Sequence, residues 1–455
     1  MNGTPLIGQV AYHPFGDTTG WTLSSAAGAP RAERPRDTDG RISAYTLGAQ
    51  TRTLTYDAAS RIVQLAVPGQ TIPVGYDLND RLTSFTVGSN VRTYSYDLTG
   101  NRLTRSGEPY TYPSTSNRLL QVNSTGGTPL RSYAYDASGR TTGDGLNAYV
   151  YDARGRLETV TVNPASPNAK VLFFLFNARG ERVMKRTGGP VNLSTHFVYD
   201  EAGKLLGEYD SAGNVLQEIV WLGDLPVASL RGAAAVEVFY IYPDQIGTPR
   251  MVVDVQNRAR WRWDLNEPFG GNVPNANPTA LGTFVFNLRM PGQYADADSE
   301  LFYNYFRDYD RFTGRYIQSD PIGLAGGVNT YEYVGANPLS VKDPRGLFAI
   351  LGPFWGPIAQ AAGWASGAVG AISGGVAGWE FVQQRAANES LGNLVRNQGN
   401  WCLSNGFSAV ECTSFARNQQ RWLECTGQIV QTGAGFPGSF SDRASPFSGL
   451  PREIR

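Results

Sequence analysis

The sequence predicts an all-β protein built from short antiparallel hairpins, followed after residue 347 by a smaller, mainly helical segment. Three observations carry that expectation. Glycine (53 residues) and aromatics (12%) are abundant, a composition that suits short strands joined by tight turns. A Tyr-Asp pair followed by a turn and a basic residue recurs along the first half of the chain. All three cysteines, Cys402, Cys412 and Cys425, lie in the last quarter, which marks the region after residue 347 as a separate unit.

At 455 residues the chain is too long for one compact core, so two or more units are expected. The 39 basic and 39 acidic residues cancel. No charge argument therefore points to nucleic acid or to an anionic membrane as partner. The opening stretch, MNGTPLIGQVAYHPFG, has no basic region followed by an apolar run, so a cleavable secretory signal is not expected there. The expectation is a cytoplasmic protein before export, then secretion or delivery to a cell surface by another route.

The repeat occurs at Tyr56-Asp57, Tyr76-Asp77, Tyr96-Asp97, Tyr135-Asp136, Tyr151-Asp152 and Tyr199-Asp200, with a decayed copy at FNARGERV, 176–183. Each position has a physical reason. The alternation in Arg92-Thr93-Tyr94-Ser95-Tyr96 is the period of a strand with one aromatic face. Aspartate accepts hydrogen bonds from its own downstream amides and starts the turn. Gly100, Gly139, Gly155 and Gly180 provide the positive φ that such a hairpin loop needs. The arginine that follows begins the return strand, within reach of aspartate or carbonyl groups.

This pattern resembles the YD or Rhs repeat of bacterial Rhs toxins, of the B and C components of Tc toxins, and of teneurins. The resemblance implies a continuous sheet that spirals into a hollow shell. Each hairpin is too small to bury a face alone, and its neighbours cover its edges. The copies begin near residue 45 and number fewer than ten, short of what a closed shell takes, so a partial shell is also expected. The division implied is 1–235 for the repeat shell, 236–347 for a repeat-associated core, and 348–455 for a variable tail.

The core-associated block opens with FYIYPDQIGTPRMVVD. Asp244, Gly247, Thr248, Pro249 and Arg250 match the family element, while Pro243 and Gln245 stand where histidines are usual. Gly-Thr-Pro-Arg is a turn sequence, and a structural role is the expectation. From Arg289 to Leu347 the chain resembles the Rhs repeat-associated core over about sixty residues, with both DPxGL boxes (320–324 and 343–347), GGVNTYEYV and Asn337-Pro338 in order.

The resemblance implies an intramolecular aspartyl protease that cuts directly after the second box. Carried over by position, Asp308 and Asp320 are the catalytic carboxylates and Arg307 supports them. Asp343, Pro344, Gly346, Leu347 and Phe348 form the cleavage site, with Leu347–Phe348 as the scissile bond. Residue chemistry speaks partly for this. Aspartyl proteolysis needs two close carboxylates, one protonated and one acting as base towards water. Asp310 belongs to a further YD hairpin, Tyr309 to Arg315, whereas Asp308 has no place in that template. On a strand Asp308 and Asp310 share a face, and a solvated surface acid is the alternative for Asp308. Asp320 and Asp343 both precede Pro-x-Gly, where turn capping explains them equally well. The two histidines, His13 and His196, are remote from the core block, and no Walker loop, nucleophile elbow or HExxH occurs. No cofactor and no metal are expected.

In the tail, residues 348–379 carry no charge and eight glycines. The stretch is long enough to cross a bilayer, for which about 20 residues suffice. Its prolines and high Ala/Gly content favour a packed helical hairpin or a linker inside the shell. Amphipathic helix is expected over 380–430, and an extended Gly/Ser/Pro-rich end after it. The tail contains no His and no Lys, which excludes histidine-dependent nucleases and hydrolases. Its three cysteines lack a CxxC, so a four-ligand zinc site is not expected.

The leading reading is a toxin shell that encloses its own tail as cargo and releases it by self-cleavage. A cognate immunity protein and a secretion-system spike or a membrane target would be its partners. A non-catalytic shell for adhesion or display, and a degenerate orphan fragment, stay open beside it.

Overall fold

The computed structural model describes residues 5–14, 16–188, 193–232, 235–347 and 349–351. The helical and membrane-directed expectations for the tail, and Phe348 itself, lie outside these residues.

The alternating pattern of the repeats produces antiparallel strands in simple up-and-down order. A three-stranded sheet (Gly8–Tyr12, Thr18–Thr22, Arg31–Glu33) comes first. A ten-stranded sheet then runs in unbroken chain order from Ala44–Leu47 to Pro129–Ser132. A thirteen-stranded sheet continues from Ala134–Tyr135 to Ala259–Arg262. That last strand lies beyond residue 236, so the sheet runs into the block expected to be a separate core. After it come a four-stranded sheet (Tyr294–Asp296, Leu301–Asn304, Arg307–Asp310, Arg315–Tyr316) and the pair Val341–Lys342 with Ile350–Leu351.

Each YD repeat is one interlocking unit. In the copy at Asp57, Oδ1 accepts the amides of Ala59 and Arg61 at 3.0 and 2.9 Å, and Oδ2 accepts Arg61 Nε at 2.7 Å. Asp77, Asp136 and Asp152 hold Arg81, Arg140 and Arg156 in the same way. The arginine also lies over the aromatic ring of the next repeat, Arg61 over Tyr76 at 5.5 Å and Arg81 over Tyr96 at 4.9 Å. The tyrosine hydroxyl donates back to the preceding hairpin, Tyr76 to Ile62 O at 3.0 Å and Tyr96 to Leu82 O at 2.8 Å. Single exposed ion pairs contribute little; here Arg61 and Arg81 each link two repeats, a relay that breaks at Asp97, where Asn101 takes the arginine's place. Gly100, Gly139, Gly155 and Gly180 all take φ between +80° and +86°. Where the repeat lacks glycine, Ser60 and Asp80 take the same left-handed conformation at +61° and +60°.

The segment after the long sheet packs onto the sheet's apolar face. Phe197, Ile219, Phe239, Ile241 and Val252 from the thirteen-stranded sheet form one core cluster with Phe284, Phe286, Tyr303, Tyr309, Tyr316 and Tyr333. Buried polar anchors add direction. Arg182 reaches Asp296 inside a ring of Phe174, Phe197, Tyr294 and Tyr303. Arg315 donates to Asn101 Oδ1, Tyr112 Oη and Asn117 O at 3.0, 2.7 and 2.6 Å. These contacts tie residues 294–316 to both long sheets.

The 244–250 turn follows the repeat template. Asp244 accepts the amides of Ile246 and Thr248 at 3.0 and 2.9 Å and Arg250 Nε at 2.8 Å. Gln245 donates to Leu339 O at 2.8 Å. In this structure the element is a buried turn that braces the chain ahead of the second box.

Candidate self-cleavage site

The site begins with the hairpin of Leu301–Asn304 and Arg307–Asp310, in which Tyr303 faces Asp308 and Asn304 faces Arg307. Successive side chains on a strand point to opposite sides. Arg307 and Tyr309 therefore share one face, and Asp308 and Asp310 the other.

On the first face, Arg307 Nη2 lies 3.0 Å from Asp320 Oδ2 and 3.2 Å from Asp343 Oδ2. All three side chains are 3% exposed. Arg307 Nε donates to Gly346 O at 2.5 Å and Nη1 to Thr330 O at 3.2 Å. Asp343 Oδ1 accepts the Leu347 amide at 3.0 Å, and its Oδ2 accepts Tyr316 Oη at 2.8 Å. Asp320 Oδ1 accepts the Ile322 amide at 3.0 Å. Burial is the largest influence on Asp320 and pushes its carboxyl up to about 6. The charge of Asp343 acts in the same direction, while Arg307 and the Ile322 amide oppose both.

The segment Pro344 to Leu347 is held along its backbone. Asn304 Nδ2 donates to Asp343 O at 2.9 Å, the Phe306 amide to Arg345 O at 3.2 Å, and Arg307 to Gly346 O. Gly346, at φ +67°, has no room for a Cβ, which would stand 2.4 Å from Asn304 O. The next carbonyl, that of Leu347, borders the same small space as Asp320. A Cβ added to Gly326 would lie 2.4 Å from Asp320 Oδ2 and 3.1 Å from Leu347 O. The Leu347 carbonyl and the buried Asp320 carboxyl held by Arg307 thus both border Gly326.

Asp308 stands elsewhere. Its Oδ2 accepts Gln318 Nε2 and its amide donates to Gln318 Oε1, both at 2.7 Å. Burial pushes its carboxyl up to about 7; Gln318 and Arg182 oppose this and Asp296 adds to it. The charged groups acting on Asp320 are Arg307 and Asp343. Among the described residues Asp308 is hydrogen-bonded to Gln318, while Asp320 is held by Arg307 and the Ile322 amide, so no hydrogen bond or shared cation joins Asp308 to Asp320. The structure brings Asp320 and Asp343 together, and Asp343 had been expected only as part of the cleavage-site sequence. Strand alternation is the reason, because Asp308 follows Arg307 immediately and so faces away from it. Asp310 is a turn residue as expected, accepting the Phe312 amide and the hydroxyls of Thr313 and Tyr133 at 2.8, 2.8 and 3.0 Å. Tyr316, Asn304 and Gly326 were not visible as site residues, since nothing in their spacing signals chemistry. Among the described residues no group of three His, Cys, Asp or Glu is placed to hold a metal ion.

Long up-and-down hairpin sheets with a buried segment packed onto them define a YD-shell protein. The family model described as Teneurin YD-shell matches residues 6–144 and 76–338, and the chain belongs to that family. Two relatives are toxins by name. Double-stranded DNA deaminase toxin A of Burkholderia cenocepacia (strain H111) is 39% identical over 122 residues, 26% of this chain and 8% of that protein. Toxin protein Tse5 of Pseudomonas aeruginosa is 32% identical over 133 residues, 29% of this chain and 10% of that protein. The chain thus spans only a small part of the length of these relatives. Among solved structures, the crystal structure of TcdB2-TccC3-TEV is similar with a TM-score of 0.55 at 18% identity, over 75% of this chain and 19% of that one. That likeness extends to the fold.

Proposed function

We propose that this chain is part of a polymorphic toxin of the Rhs and Tc type, whose YD shell carries the C-terminal segment as cargo and frees it by cutting its own chain after Leu347. The observation that carries the reading is the convergence of Asp320 and Asp343 on Arg307 Nη2 at 3.0 and 3.2 Å, with Asp320 and the Leu347 carbonyl bordering one space. The toxin names of the relatives support the cargo role. Delivery outside the producing cell, an immunity partner and a target for residues 348–455 belong to the same proposal.

The acid pair divides the work. Asp320, pushed up to about 6, holds a proton where the Leu347 carbonyl needs one. Asp343, with Arg307, Tyr316 and the Leu347 amide on its oxygens, is the base. Water adds to the Leu347 carbonyl carbon and passes one proton to Asp343. Asp320 protonates the carbonyl oxygen as it gains charge. Collapse breaks the bond to the Phe348 nitrogen, which takes the proton from Asp343 and leaves as an amine, while a hydroxyl of the intermediate returns a proton to Asp320 and Leu347 is left as the new C-terminal carboxyl group. Water is the only co-reactant.

The full chain synthesised cell-free and run on a denaturing gel should give two bands, the smaller of roughly 12 kDa by its share of the 49.4 kDa chain. Mass spectrometry should place the new end after Leu347. Asp320→Asn and Asp343→Asn should each leave one band, because each removes one member of the pair. A single uncut wild-type species that is natively folded would sink the reading and leave the display shell in its place.

A further inference from the structure

Tyr316 is 3% exposed and sits on the two-residue strand Arg315–Tyr316. Its hydroxyl donates to Asp343 Oδ2 at 2.8 Å and accepts Asn304 Nδ2 at 2.7 Å. The same Asn304 amide group reaches Asp343 O at 2.9 Å. Above the ring, the guanidinium carbon of Arg307 lies 3.6 Å from the centroid. The ring packs edge-on against Tyr333 at 5.7 Å and Tyr309 at 6.0 Å. One side chain therefore touches Arg307 with its face and Asp343 with its hydroxyl.

Phenylalanine would fill the same volume in this core, and the hydroxyl adds a polar atom that must be satisfied. Burial first, and then the charge of Asp343, push the Tyr316 hydroxyl well above its ordinary range. It keeps its proton and can only donate to the carboxylate. The two acids are served unequally. Asp343 receives Tyr316, Arg307 and the Leu347 amide, whereas Asp320 receives Arg307 and the Ile322 amide. A donor to a carboxylate favours its ionised form.

We propose that Tyr316 is a positioning residue for self-cleavage: its hydroxyl orients Asp343 as the ionised acid and leaves the shared proton on Asp320, while its ring holds Arg307 between them. This role rests on the reading that the Asp320–Asp343 pair cuts after Leu347. Tyr316→Phe keeps the ring under Arg307 and removes only the donor. Tyr316→Leu removes both contacts.

The test follows cleavage over time in the full chain made cell-free and exchanged at once into buffers from pH 5 to 9. Tyr316→Phe should fold with an unchanged near-ultraviolet spectrum and cut roughly ten- to a hundredfold more slowly, the range expected when a reacting group is misplaced. Its acid limb, set by ionisation of the base, should move to higher pH because that ionised acid has lost a donor. Tyr316→Leu should be slower still. Wild-type rates for Tyr316→Phe, or slowing with both pH limbs in place, would overturn the positioning role while Asp320→Asn still blocked cutting and upheld the site. A wild-type chain that never cuts would overturn the site and the role together.

Discussion

Asp320 and Asp343 meet through a single nitrogen, Arg307 Nη2, although 23 positions separate them in the chain. Neither is on the strand that carries the arginine. Asp320 heads the first DPxGL box and Asp343 the second, and each also caps its own turn through an amide two or four residues on. The turn-capping role that made both acids look structural is real, and it coexists with the pairing. One oxygen of each carboxylate holds the turn and the other faces the cation.

Asp308→Asn should be cut at the wild-type rate, because Asp308 lies on the face of its strand away from Arg307. Its effect belongs to stability. The folded-state carboxyl is pushed up to about 7 from an ordinary value near 3.8. Its contribution is therefore fully present below the unfolded value and is lost as pH rises through the folded one. Asparagine does not ionise, so the variant should unfold like wild type at pH 4 and be more stable at pH 8 by roughly 1–3 kcal/mol. Urea titrations at the two pH values check this. Loss of cutting in Asp308→Asn would return it to the catalytic pair.

Cleavage should slow on the alkaline side of pH 6. Asp320 acts as the acid, and its carboxyl is pushed up to about 6, chiefly by burial. Above that value its protonated fraction falls about tenfold per pH unit, and the rate should follow. Time courses of the cell-free chain at pH 6, 7 and 8 measure it. A rate that climbs steadily from pH 6 to 8 would remove Asp320 from the role of acid.

Gly326→Ala should abolish or severely slow cutting at little cost to the fold. The backbone there does not take a positive φ, so the added methyl meets a spatial problem alone. Its Cβ would come 2.4 Å from Asp320 Oδ2, and that oxygen is held by Arg307 at 3.0 Å. The carboxylate must turn away from both the arginine and the Leu347 carbonyl. The neighbouring 3-10 turn Gly323–Gly326 has no buried residue, so the stability loss should stay near 1 kcal/mol. Gel assay and thermal melt together decide it; normal cleavage would show that Asp320 need not stand where it does.

Much of the molecule is legible in one dimension. The Tyr-Asp repeat specifies its own hairpin, because aspartate, turn and arginine lie within five residues and their hydrogen bonds are local. The all-β sheets, the left-handed glycines and the turn at Asp244 follow from the same rule. The link from Arg61 to the ring of Tyr76 crosses from one repeat to the next; it was expected only as a bridge to aspartate or carbonyl groups. Arg315 departs from the template altogether, reaching Asn101 and Asn117, 214 and 198 residues away, and no spacing announces that.

What the sequence by itself determined is the repeat, its turn chemistry and the two DPxGL boxes that frame the core segment. Only the tertiary structure decided which acids stand together. Arg307 and Asp308 are neighbours in the chain, yet strand pleating sends them to opposite faces. Asp343 comes back to Arg307 because the carbonyls of Asp343, Arg345 and Gly346 are bound by Asn304, Phe306 and Arg307. Local patterns record the first kind of relation, since its partners lie within a turn of one another. The second depends on where a distant segment packs, and a backbone path of that length leaves no periodic trace.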